Sequence, residues 1–251
     1  MSDDDRDEGP VRTSQRLARP ELPERFYKKA TAGAGEGGYA LLLDGKPVKT
    51  PARRAVVLSE RPIAEALAAE WDAQGQRIDP STMPLTRIVN AAIDHVAGAM
   101  PAVRAEIVKY AGSDFICYRA EAPQSLVAQQ AAAWDPLVAW ARSELGAPLI
   151  LAAGIVHVAQ PEIALTAIAR ALEGYAPLQL ATISTVTALT GSAVIGLALA
   201  RGRLSAQQAW DAALVDEEWQ MRLWGRDEAA MAAQAFRWRE MQAAALILAA
   251  E

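Results

Sequence analysis

The sequence predicts an α+β fold, a small antiparallel β-rich N-terminal domain followed by an all-helical C-terminal domain. Of the 55 alanines in this chain of 251 residues, 48 lie after Pro62, and alanine loses no side-chain entropy in a helix. Between Arg25 and Leu58, short aromatic and aliphatic runs alternate with turn dipeptides, the pattern of paired strands. After Pro62, proline, serine and glycine recur where helices start and stop.

Residues 1–24 open with Ser2-Asp3-Asp4-Asp5-Arg6-Asp7-Glu8. They read as a disordered acidic tail, with no apolar stretch for a secretory signal and too much acid for a mitochondrial transit peptide. Residues 25–80 form the small β-rich domain with one helix. Its first strand is expected at Arg25–Ala30 and its second at Tyr39–Leu43. Asp44-Gly45 is the hairpin turn, since both residues tolerate positive φ. The return strand is Lys46–Lys49, with Pro47 marking an edge, and a last strand covers Ala55–Leu58. Gly33–Gly38 reads as a flexible hairpin loop: a phosphate-binding loop would lead into a helix, and Glu36 would repel phosphate.

The one helix of this domain begins at Pro62 and ends near Gly75. Residues 81–251 form the helical domain, entered through the rigid Asp79–Pro84 linker. Helices are expected over Pro84–Ala97, Pro101–Ala111 and Pro123–Leu145, the last kinked or restarted at Asp135-Pro136. Gly146–Gln160 fits strand, loop or helix. Further helices follow over Pro161–Glu173 and Pro177–Ala200. Ser205 and Gln208 form a capping box that opens a helix running to about Trp224. A last helix starts near Asp227. From Gly174 to Ala200 no residue is charged. The small and hydroxylated residues there favour a helix buried inside a helical domain over a membrane span.

Composition excludes several functions. The net charge of −5 argues against nucleic acid and anionic membranes as partners. A single cysteine excludes a disulfide framework and a cysteine zinc site. Cys117, among apolar and aromatic neighbours, reads as a small buried hydrophobe. His95 and His157, the only histidines, lie far from metal-ligand spacing. No metal and no cofactor are expected.

Asp216-Glu217-Glu218 is the most informative cluster. It sits mid-helix with Trp210, Trp219 and Trp224, and consecutive residues cover the whole helix circumference. One acid can therefore face solvent while another meets an arginine or lysine across an interface. Arg237-Trp238-Arg239 and Arg222-Leu223-Trp224 combine residue types that dominate protein–protein hot spots, and a core or snorkelling role fits each as well. An enzyme using Glu217 or Asp216 with His157 as acid and base is the competing reading, and a generic helical adaptor is a third.

Several strings occur in order. They are Arg25-Phe26-Tyr27-Lys28, Leu43-Asp44-Gly45-Lys46-Pro47, Glu70-Trp71-Asp72, Met83-Pro84-Leu85-Thr86, Tyr118-Arg119, Trp134-Asp135-Pro136, Asp216-Glu217-Glu218-Trp219-Gln220 and Trp224-Gly225. Together the chain resembles the ATP synthase assembly chaperones that act on the α subunit of the catalytic head, found in mitochondria and alphaproteobacteria. The resemblance implies no catalysis and no cofactor. It implies that the chain binds the unassembled α subunit and masks its subunit interface until the β subunit replaces it. It implies Glu217, with Glu218 and Asp216, as client-binding residues, and Trp71, Asp72, Trp134 and Trp224 as structural or domain-junction residues. A monomer when free, without membrane insertion, in a bacterial cytoplasm completes the expectation, the acidic N-terminus disfavouring the mitochondrial matrix.

Overall fold

The structure is a computed structural model that describes residues 21–250 except Ile155 and Arg226. Residues 1–20, most of the expected tail, lie outside the described residues. The strands β1 (Ala30–Gly35), β2 (Gly38–Leu43), β3 (Lys46–Pro47) and β4 (Val57–Leu58) form one antiparallel sheet. β2 is central, with β1 on one side and both β3 and β4 on the other. The Asp44-Gly45 turn forms as expected, both residues taking positive φ (48° and 79°).

The first strand is displaced from Arg25–Ala30 to Ala30–Gly35. The Arg25 segment is drawn elsewhere: its guanidinium donates to the carbonyls of Asp72, Gln74 and Lys28, and its amide to Gln76 O at 2.8 Å. Residues 21–24 are not tail either. Glu24 bridges Arg77, and Pro23 O accepts from Ile78 N. The glycine run is mostly strand, with only Glu36-Gly37 at the tip. A Cβ at Gly38 would lie 2.3 Å from Leu58 O, so this glycine is what lets β4 close on β2.

Helix α1 (Arg61–Asp72) lays Ile63, Ala64, Leu67 and Ala68 on the sheet. Beyond it come α2 (Pro84–Ala91), a π-helical turn over Ala92–Val96, α3 (Met100–Ala111) and the strand β5 (Tyr118–Arg119). Helix α4 (Gln124–Glu144) passes unbroken through Pro136. In the ambiguous segment, β6 (Ala152–Ala153) pairs in parallel with β5. The fold closes with α5 (Glu162–Ala171), α6 (Pro177–Thr190), α7 (Ala193–Ala200), α8 (Ala206–Ala213), α9 (Val215–Trp224) and α10 (Glu228–Ala250). The fold class is as expected: a small antiparallel sheet, then helices. The buried residues form one core from Tyr27 to Ile247 that crosses residue 80 without a break.

Two expected helices are each divided. Pro177–Ala200 breaks at Gly191, whose φ of 69° is left-handed. A new start is then capped by Ser192 Oγ, which accepts from Ile195 N. The Asp114 carboxylate, fully buried, also accepts from Val194 N at 3.1 Å and Ile116 N at 3.3 Å. Burial pushes its carboxyl up to about 6, against hydrogen bonds from Ser192 and nearby amides that pull it down. Ser205–Trp224 breaks at Leu214, whose amide bonds back to Trp210 and Asp211 carbonyls. Helix α6 lies at the centre of the helices, against α2, α3, α7 and α10. Among the described residues, no helix is long and apolar enough to cross a membrane.

Candidate functional site

The junction of sheet and helices is built by Glu70-Trp71-Asp72, at the end of α1. The Glu70 carboxylate accepts from Leu85 N and Thr86 N, both at 2.8 Å, and from Thr86 Oγ1 at 2.6 Å. It thereby serves as a cap for the orphan amides that open α2. Burial raises the Glu70 carboxyl above its ordinary range, partly offset by these three bonds. Trp71 Nε1 donates to Thr86 Oγ1 at 2.9 Å, and Trp71 O accepts from Tyr27 Oη at 2.6 Å. Asp72 turns the other way and accepts from Ala30 N at 3.1 Å, where β1 begins. Three consecutive residues thus reach the helices, the aromatic wall and the sheet. Trp134 is fully buried, its indole donating to Ala212 O at 2.7 Å and its ring edge-on to Phe115 at 4.9 Å.

Helix α9 carries the acidic cluster and buries none of its residues. The three acids have three different partners. Asp216 Oδ1 accepts from Gln130 Nε2 at 2.8 Å. Gln130 is itself buried and oriented by Ala120 N, which donates to its Oε1 at 2.8 Å. The amide therefore has only its NH2 side to offer Asp216. Glu217 is gripped by both Arg237 guanidinium nitrogens, at 2.9 and 2.5 Å. Arg237 lies over the Trp210 ring at 5.8 Å, and Trp210 packs on Trp238 at 5.5 Å. Glu218 Oε1 accepts from Gln234 Nε2 at 3.2 Å. Glu217 thus meets its arginine within the chain, where the sequence suggested an interface. Sequence reasoning did not pair Arg237, Gln130 or Gln234 with these acids. Only the arginine–tryptophan composition around Arg237 carried a signal.

Beneath α9 a cavity of about 260 Å³ is lined by Tyr118, Arg119, Leu126, Gln130, Asp216 and Trp219, among others. Arg119 pairs through Nη1 with Asp135 at 2.8 Å and donates from Nε to Ile116 O at 2.8 Å, while its Nη2 is buried without a hydrogen-bond partner among the described residues. His157 does not join the acids. Its Nδ1 meets Tyr118 Oη at 3.0 Å on an exposed segment, so the acid–base pair proposed with Glu217 or Asp216 is not assembled. Cys117 is buried, and its thiol is pushed up to about 12 by burial. Among the described residues, no group of three or more His, Cys, Asp or Glu is placed to hold a metal ion. Trp224 corrects the expectation of a structural role. It is 85% exposed at the end of α9, where Gly225 turns the chain with φ 89°, and a side chain so exposed packs nothing together.

The family model described as ATP12 chaperone protein matches residues 24–142. The crystal structure of Atp12 from Paracoccus denitrificans shares 39% identity and a TM-score of 0.81, covering 90% of this chain and 97% of that one. The chain belongs to the ATP12 chaperone family. A structure from Agrobacterium tumefaciens is similar over 98% of this chain and 92% of its own, at 43% identity and TM-score 0.86. A relative from Schizosaccharomyces pombe, named mitochondrial protein atp12, is 23% identical over 227 residues, 86% of this chain and 78% of its own. ATP12 proteins are chaperones and not enzymes.

Proposed function

We propose that this ATP12-family chain binds the unassembled α subunit of the ATP synthase catalytic head. It masks the subunit interface of that client until the β subunit replaces it. An unassembled subunit exposes a large apolar patch that aggregates unless covered. The observation that carries the reading is the near-complete match to a solved Atp12 at 39% identity. In this reading the α9 acids Asp216, Glu217 and Glu218 belong to the client-binding surface, with Glu217, 46% accessible, the outermost. Trp71 and Asp72, with Glu70, fix the sheet unit (residues 25–80) onto the helical unit (81–251), and Trp134 anchors the helices. The free chain is monomeric and resides in a bacterial cytoplasm. The relatives at 39–43% identity are bacterial, whereas the mitochondrial one shares 23%.

Co-expression tests it. The share of α subunit recovered in the soluble fraction should rise with this chain and fall again with Glu217→Lys. The Glu217–Arg237 pair is partly exposed, with side chains 46% and 33% accessible, so breaking it costs at most about 1 kcal/mol of stability. Unchanged α-subunit solubility with the wild-type chain would refute the proposal. A large fall in melting temperature for Glu217→Lys would make that residue structural.

A further inference from the structure

The corner between α9 and α10 leaves apolar surface uncovered. Leu223 is 56% exposed, Trp224 85% and Met231 44%. Residues 229–233, Ala-Ala-Met-Ala-Ala, are all exposed. Five consecutive apolar residues exposed around a helix are out of place on a protein surface unless something covers them.

The way this corner is held keeps that surface free. Helix α9 buries no residue, and the buried residues of α10 begin only at Met241. Polar bridges reinforce the limited apolar packing of the arm, which lies at Val215 and Trp238. The bridges are Glu217–Arg237, Gln234–Glu218 and Arg222 Nη2 to Gln129 Oε1 at 2.5 Å. The arm is therefore positioned before anything binds, which lowers the ordering cost of docking.

Charge chooses between a second copy and a different partner. From Val215 to Arg237 the sequence carries five carboxylates and three arginines. The arm therefore carries a net charge of −2, which two copies would bring together and a partner with a basic edge would neutralise. We infer that this arm, with Trp224 at its tip, is a docking surface for an apolar face of the client edged by basic side chains. The alanine run lets that face approach the helix backbone closely, while Trp224 supplies the large amphipathic anchor typical of a hot spot. The inference rests on the proposed function and adds the surface that grips.

The test uses the full chain and the unassembled ATP synthase α subunit as probe, with binding followed by biolayer interferometry. Trp224→Ser and the pair Leu223→Ser with Met231→Ser are expected to weaken binding roughly tenfold or more, mainly through faster dissociation. Their circular dichroism and melting temperature should match wild type, because these side chains are exposed. Glu228→Lys, which spares the Asp227 carboxylate that caps α10 through Ala230 N, should instead slow association and reduce its salt dependence. Binding within twofold of wild type for both serine variants would overturn the inference while leaving the proposed function standing. So would a wild-type homodimer, detected by light scattering, that the same serine substitutions dissociate. If wild type does not bind the α subunit at all, the proposed function fails, and the arm's role as a client surface fails with it.

Discussion

Asp114 offers a test in which pH and substitution report on the same buried group. Its carboxyl sits near 6 in the folded chain against an ordinary 3.8. At pH 7 both folded and unfolded chains are ionised there, so the buried charge costs the folded chain a constant amount and stability does not change with pH through this group. As pH falls below the folded value, the folded chain takes up a proton that the unfolded chain, with its lower value, still releases. Stability from this site therefore rises on acidification through 6 and levels off below 3.8. At pH 5 the gain over pH 7 is on the order of 1 kcal/mol. For a chain of this size that corresponds to about 2–4 °C in melting temperature. Asp114→Asn cannot take up the proton. It also offers one acceptor oxygen where the start of α7 and Ile116 use two, so it melts lower at both pH values. Melts of both proteins at pH 7 and pH 5 isolate the group, because titrations elsewhere cancel in the difference. The gap between wild type and variant should widen by about 2–4 °C at pH 5. A gap that stays constant or narrows would refute the assignment of a buried, proton-binding carboxyl to the start of α7.

Gly38→Ala should lower stability by about 1–3 kcal/mol in urea unfolding, because the added Cβ meets a backbone oxygen, Leu58 O, at 2.3 Å. Trp71→Phe keeps the ring but loses the donor to Thr86 Oγ1. It should cost about 1 kcal/mol, read in the same assay, with the larger part of the loss absent when Thr86 is already valine. Cys117, buried with its thiol raised, should resist a thiol-specific disulfide reagent in the native protein and react promptly in guanidinium. Fast native labelling would show that the segment around Cys117 opens.

Local chemistry was legible wherever one or two residues decide a conformation. Asp44-Gly45 turned the hairpin, Ser205 and Gln208 capped each other's amides, and Pro62 opened α1. The first strand was misplaced because Ala30–Gly35 contains no large β-former. Its strand state comes from pairing with β2, which no local pattern announces. The breaks at Gly191 and Leu214 were masked by apolar periodicity running through both. At Gly191 the deciding group, Asp114, comes from far away in the sequence. Arg87 bonded to Glu240 is equally non-local. For the site, the acidic cluster stood out in the sequence, but its partners did not. Gln130, Gln234 and Arg237 are ordinary residues that only packing brings to α9. Trp224 was misread because tryptophan on a helix usually faces a core, and only the structure shows that α9 has no core to face.

The interruption at Gly191 also sets how far each helix of the apolar stretch can reach. The charge-free stretch from Gly174 to Ala200 spans 27 residues, long enough, as one continuous helix, to reach across a lipid bilayer. The break leaves helices of 14 and 8 residues, the longer reaching only about 21 Å against roughly 30 Å of hydrocarbon. Ser192, opening the second piece, would carry unpaired backbone amides into lipid. One left-handed glycine thus divides the most apolar part of the chain into two helices, each too short to cross a bilayer.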